Sequence, residues 1–218
     1  MEVEQIKPRL WRWTATHPDW EPEEGGPDGW DPEVSSFALV EDDALVLIDP
    51  LVPTDDEERF WGALDDDVAH HGPPKVLLTV FWHSRSAQTI LDRYEGARVY
   101  APAAAAAQAR ERVATVELFD LGDTLAGGIE ALGTIHRAEA VFWIPKHRAL
   151  AAGDLLLGTP DGGVRVCPDS WLRPGVTGAQ VREGLQPLLE LPVELLLLGH
   201  GKPVLENGHA ALDRALRA

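Results

Sequence analysis

The chain has 218 residues, with 19 Lys and Arg against 36 Asp and Glu, a formal net charge of −17. Such an acidic surface repels phosphate backbones and anionic lipid, which argues against nucleic-acid or membrane-surface partners. A single cysteine, Cys167, excludes an internal disulfide and a Cys-based zinc finger, and reads as a small core residue. Hydrophobic content of 44% and charged content of 25% are ordinary globular values, and the length suits one α/β domain over residues 1–218. No apolar run approaches the ~18 residues of a membrane span. The opening M-E-V-E-Q-I-K-P lacks a basic stretch followed by an apolar one, so a cytoplasmic location is expected.

In chain order, Ile6 to Thr16 partly alternates and predicts a strand. Residues 17–34 predict a long loop, because His17 to Pro32 is dominated by Pro, Gly, Asp, Glu and Trp. Trp20 and Trp30 need a surface to cover there, which makes this loop a candidate lid over a pocket. V-S-S-F-A-L-V and A-L-V-L-I-D-P predict a hairpin turned at Glu41-Asp42-Asp43, with Asp49-Pro50 ending its second strand. Thr54 to His71 predicts a helix capped by Thr54 and stopped at Gly72-Pro73. His70 and His71 fall at its C-terminal end, where they complement the helix dipole.

The stretch Lys75 to Leu91, K-V-L-L-T-V-F-W-H-S-R-S-A-Q-T-I-L, predicts a buried strand over 76–79 and a helix capped by Ser84 or Ser86. Further strands are expected near 97–101, 116–119, 128–132, 141–144, 149–152 and 193–198. Helices are expected in the alanine-rich run after Ala101, over 177–190 with Pro187 shortening or kinking it, and over 208–218.

The segments V-L-I-D at Asp49, L-T-V-F-W-H-S-R at Thr79, A-L-G-T-I-H at His136, A-A-G-D at Asp154 and L-L-L-L-G-H-G at His200 follow one another in a telling order. Together they resemble the metallo-β-lactamase fold superfamily, over nearly the whole chain. The resemblance implies a four-layer αββα sandwich. It also implies a strand ending in Thr-His-x-His-x-Asp-His, whose side chains help hold two metal ions. Laid on this chain from Thr79, the paired histidines become Val80 and Trp82, the aspartate Ser84 and the last histidine Arg85. The family roles that survive are His136 on the first metal, Asp154 bridging both, and His200 on the second. Asp49 is implied as the residue that orients the metal turn.

Two ligands per metal are too few for a tight dinuclear site, since a catalytic zinc usually takes three protein ligands and a water. Arg85 could replace the missing metal charge by pairing with Asp154. His83 falls at a variable position of the family motif and reads either as a structural histidine or as a ligand or general base. His147 and His209 attract no role.

Two readings follow. The first is a cleft without metal that binds a small molecule or has lost its chemistry, lined by Trp82, Arg85, Trp20, Trp30 and Asp49; it requires no cofactor and favours a non-enzyme. The second is a hydrolase of an ester, thioester or lactone that keeps one zinc, manganese or iron ion on His136, Asp154 and His200, with His83 or His17 as a further ligand. Metal-free acid–base catalysis by His136 or His200, oriented by Asp154, is a third, minor alternative.

Overall fold

A computed structural model describes residues 1–41 and 44–218. Its larger sheet holds seven strands in chain order: β1 (Glu2–Lys7), β2 (Leu10–Thr16), β3 (Glu33–Glu41), β4 (Ala44–Ile48), β5 (Lys75–Leu77), β6 (Arg98–Pro102) and β7 (Glu117–Phe119). The first four pair antiparallel and the last four parallel. Parallel neighbours require long crossovers, supplied here by α1 (Glu57–His71), α2 (Ala87–Arg93) and α3 (Ala106–Arg112). The second sheet is built from β8 (Glu130–Gly133), β9 (Ala140–Ile144), β10 (Ala149–Ala152) and, beyond a ribbon of β11 (Leu156–Gly158) and β12 (Val164–Val166), β13 (Leu195–Leu198). Its order is β13-β10-β9-β8, with β10 and β13 parallel. Helices α4 (Gly178–Leu185) and α5 (Gly208–Arg217) complete the chain.

The alternation of side chains sorts these strands into layers. Along β4, Ala44, Val46 and Ile48 join the core between the sheets, whereas Leu45 and Leu47 face the layer that packs Phe60 and Leu64 of α1. Along β13, Leu195 and Leu197 point inward and Leu196 and Leu198 meet Val181 of α4 and Leu212 of α5. Strands buried on both faces read as unbroken apolar runs, as these do. The result is the expected αββα sandwich.

Several boundaries differ from expectation. The single strand expected over 6–16 is two, β1 and β2, reversing at Pro8-Arg9, where Arg9 takes φ 66°. Helix α1 begins at Glu57 after Asp56, so Thr54 does not cap it. Ser86 sits at the N-cap of α2, but its hydroxyl accepts from the Val52 N–H, 2.9 Å away. Pro187 ends α4 at Leu185, and a 3₁₀ turn follows. Asp42 and Asp43, expected in the hairpin turn, lie outside the described residues. Among the described residues, no helix is long and apolar enough to cross a membrane.

Candidate metal centre

Four strands deliver the site's residues from their carboxyl ends, where open α/β sheets place their ligands. Asp49 follows β4, Thr79 to Arg85 follow β5, Asp154 follows β10 and His200 follows β13. The two sheets are stitched together here: Val80 bridges to Glu139, Val34 bridges to His200, and Ala140 N–H donates to the Thr79 carbonyl at 2.8 Å. Gly153 is required at this seam, because a Cβ on it would stand 2.6 Å from the Thr79 hydroxyl.

Asp49 organises the turn. It adopts a left-handed backbone (φ 47°), which aspartate tolerates better than most residues. One carboxylate oxygen accepts from the Thr79 N–H at 2.9 Å, and the other takes the Thr79 hydroxyl and lies 2.9 Å from His83 Nδ1. The 3₁₀ turn over Phe81–Ser84 swings His83 inward, and its side chain is buried. His83 Nε2 and His200 Nε2 then approach the same oxygen, Asp154 Oδ1, at 3.1 and 3.2 Å. The other oxygen, Oδ2, accepts from Trp82 Nε1 at 2.6 Å. His83, Asp154 and His200 each offer one ligand atom within 4.8 Å of the others.

The charges follow from this packing. Burial and the Arg85 cation push His83 down, yet the carboxylates of Asp154 and Asp49 outweigh them and hold it up, at about 9. Burial would raise Asp154, but the His83 charge and the His200 contact keep it well below the usual carboxylate range. Burial, followed by the Asp154 charge, pushes Glu139 up to about 8 while it accepts from the Asp154 and Leu155 N–H groups. Of these neighbouring carboxyls, Asp154 holds the charge and Glu139 the proton. Burial lowers His200, with His83 and Arg85 adding to the effect and Asp154 opposing it.

The centre forms the floor of a cavity of about 850 Å³. Trp30 and Trp171 stand over His200, with ring centroids 5.0 and 5.9 Å from its own. The loop over 17–34 is tied down through the Asp28 carbonyl, which accepts from Trp171 Nε1 at 2.9 Å.

Several expected placements are corrected. Arg85 does not pair with Asp154; its Nη1 donates to the Ser35 and Asp49 carbonyls at 3.1 and 3.0 Å, and its Nε and Nη2 are buried without a hydrogen-bond partner among the described residues. Its backbone, at φ 33° and ψ −106°, is a strained conformation of the kind that costs about 1–3 kcal/mol. This geometry turns the guanidinium toward the backbone of β3 and β4. Trp20 does not line the cavity; its indole N–H donates to the Trp30 carbonyl from behind. His136 does not join His83, Asp154 and His200. It is held by Arg173, whose Nη2 and Nε lie 2.9 and 3.3 Å from His136 Nδ1, in a second cavity that Trp82 and Asp154 also line. His17 lines the main cavity with its ring against Trp30. Cys167 is buried, and burial pushes its thiol up to about 12, as suits a core residue.

Sequence reasoning gave no part to Glu139, Trp171 or Arg173. Only the lone acidic residue in R-A-E-A-V-F-W-I, at the edge of an apolar strand, could have drawn attention to Glu139.

No protein-family model and no curated protein sequence matches the chain. Solved structures do. The metal-soaked Flv1 flavodiiron core from Synechocystis sp. PCC6803 superposes at a TM-score of 0.70 with 18% identity, covering 99% of this chain, which spans 60% of that one. The metallo-β-lactamase FIM-1 from Pseudomonas aeruginosa in its mono-zinc form matches at 0.70 with 11% identity, covering 99% and 94% of the two chains. The metallo-β-lactamase from Pontibacter korlensis matches at 0.69 with 15% identity, covering 99% and 98%. In element order, sheet pairing and layering, this chain has the metallo-β-lactamase fold.

Proposed function

We propose that the chain is a metal-dependent hydrolase that works with one ion, held by His83 Nε2, His200 Nε2 and Asp154 Oδ1. The observation that carries this reading is the convergence of two imidazole nitrogens, at 3.1 and 3.2 Å, on one buried carboxylate oxygen. A buried carboxylate is costly unless something cationic meets it, and a metal ion between the two imidazoles is one way to meet that need. Two nitrogens and one oxygen suit zinc, iron or manganese, and three protein ligands leave a position open for water. When bound, such an ion supplies a Lewis acid that acidifies water and polarises a carbonyl.

The chain's own residues supply the rest. Asp49 accepts the His83 Nδ1 proton, so that Nε2 presents its lone pair, as carboxylates behind metal-binding histidines do. Trp82 occupies Asp154 Oδ2 and leaves Oδ1 to the centre. Trp30 and Trp171 line the cavity and give an ester, thioester or lactone over the site an apolar surface to lie against. The site uses His83, from the variable position of the turn, where the family would use a histidine at 80, 82 or 136.

The test is elemental analysis of chelator-treated protein reloaded with zinc, manganese or iron, together with an ester and lactone hydrolysis screen. About one ion per chain is expected, lost in His83→Ala, Asp154→Ala and His200→Ala and retained in His136→Ala. No uptake of any of the three metals, or loss in His136→Ala with retention in His83→Ala, would overturn this reading.

A cleft that binds a small molecule without metal is the second reading, favoured by one observation. A protonated His83 between Asp49 and Asp154 balances much of the buried charge by itself. The same metal measurement separates the two.

A further inference from the structure

The second cavity holds about 340 Å³ and shares Trp82, Asp154 and Trp171 with the main one, so the two adjoin across the candidate metal centre. Its lining includes hydrogen-bond donors. A guanidinium can only donate, so Arg173 at 2.9 Å obliges His136 Nδ1 to accept. Burial, with the Arg173 charge, keeps the imidazole neutral by lowering its pKa. The ring proton of neutral His136 therefore resides on Nε2, which becomes a donor with no protein partner among the described residues. The Gln108 side-chain amide and the rest of the Arg173 fork border the same space, whose walls are the apolar side chains of Val80, Phe81 and Leu172.

We propose that this cavity is a subsite for a carboxylate on a short apolar stem, bound by Arg173, His136 Nε2–H and Gln108, so that the substrate is an ester, thioester or lactone bearing a free carboxylate. The proposal rests on the hydrolase reading for its reaction and on this cavity alone for its recognition. A planar monoanion matches a guanidinium edge with a second donor beside it. A phosphate dianion is disfavoured, because the charged Asp154 lines the same cavity and repels a second negative charge more strongly than a first.

The probes are hexanoate, its neutral isostere hexanamide and inorganic phosphate, titrated calorimetrically into the full chain both chelator-treated and zinc-loaded. Hexanoate is expected to bind at least about tenfold more tightly than hexanamide in both forms, the ratio a charge-assisted hydrogen bond supports. Arg173 is exposed, so Arg173→Met and, as a second variant, Arg173→Gln should fold, keep their metal content and bring that ratio to about one. His83→Ala should lose metal yet keep the ratio. A ratio near one in the parent protein, a ratio unchanged in both Arg173 variants, a ratio that appears only when metal is loaded, or phosphate binding more tightly than hexanoate would each overturn the subsite. Failure to take up metal would instead strike the hydrolase reading, leaving the measured ratio to decide the subsite on its own.

Discussion

Asp49 and His83 show how much one pair of residues decides. The carboxylate serves the Thr79 backbone, the Thr79 hydroxyl and the His83 ring together, and thereby fixes which imidazole nitrogen faces the centre. Removing it frees both the ring orientation and the tautomer. Asp49→Ala is expected to weaken zinc binding by about 10–100-fold, the usual effect of losing a carboxylate behind a metal-binding histidine. Competition against a chromophoric chelator measures this, with circular dichroism confirming the fold; unchanged affinity would remove Asp49 from the site. Asp49 was legible in V-L-I-D only through the family resemblance, which implies an aspartate that orients the turn; on its own the residue reads equally as a strand-ending turn. The inward turn of His83 was not, because one 3₁₀ turn decides it and nothing in F-W-H-S specifies that turn.

At the scale of elements, the apolar runs in β4, β9 and β13 announce strands buried on both faces, and the structure sorts their residues between layers with period two. Three elements carried no such signal. β1 is an exposed edge rich in Glu, and β11 and β12 hold three residues each. Helix α4 opens with a reciprocal capping box, Thr177 accepting from the Gln180 N–H and Gln180 accepting from the Thr177 N–H. This helix covers the second sheet through Val181 and Leu185. Thr177→Ala should therefore cost about 1 kcal/mol of stability, read as a lower urea midpoint with unchanged slope. An unaltered midpoint would show that the packed face holds the helix unaided.

For the whole molecule, stability should depend on pH through groups buried between the sheets at the site. His83 sits at about 9 when folded, above its ordinary 6.5, so its contribution is fully present below pH 6.5 and is lost as pH rises through 9. Glu139 sits at about 8, above its ordinary 4.5, so its contribution is present below 4.5 and is lost as pH rises through 8. Both act in one direction. Chelator-treated protein should melt at progressively lower temperature from about pH 6.5 to pH 9, and Glu139→Gln should flatten part of that slope. A melting temperature that rises with pH over this window would contradict the charge assignment. The net charge of −17 bears on solubility and on which ligands approach, and does not choose the fold.

The sequence by itself determined the architecture. Hydrophobic periodicity is a local property, and the family resemblance carried by the segments at Asp49, Thr79, Asp154 and His200 implies which loops meet at one edge of the sandwich. Only the tertiary structure decided the membership of the site. His136 and His83 each line a cavity that Asp154 also lines, and which of them reaches it depends on backbone torsions and on competing partners. Arg173 takes His136, the backbone of β3 and β4 takes Arg85, and Asp49 delivers His83. Such choices are made by contacts between residues 34 to 50 positions apart in the chain, which no local pattern encodes.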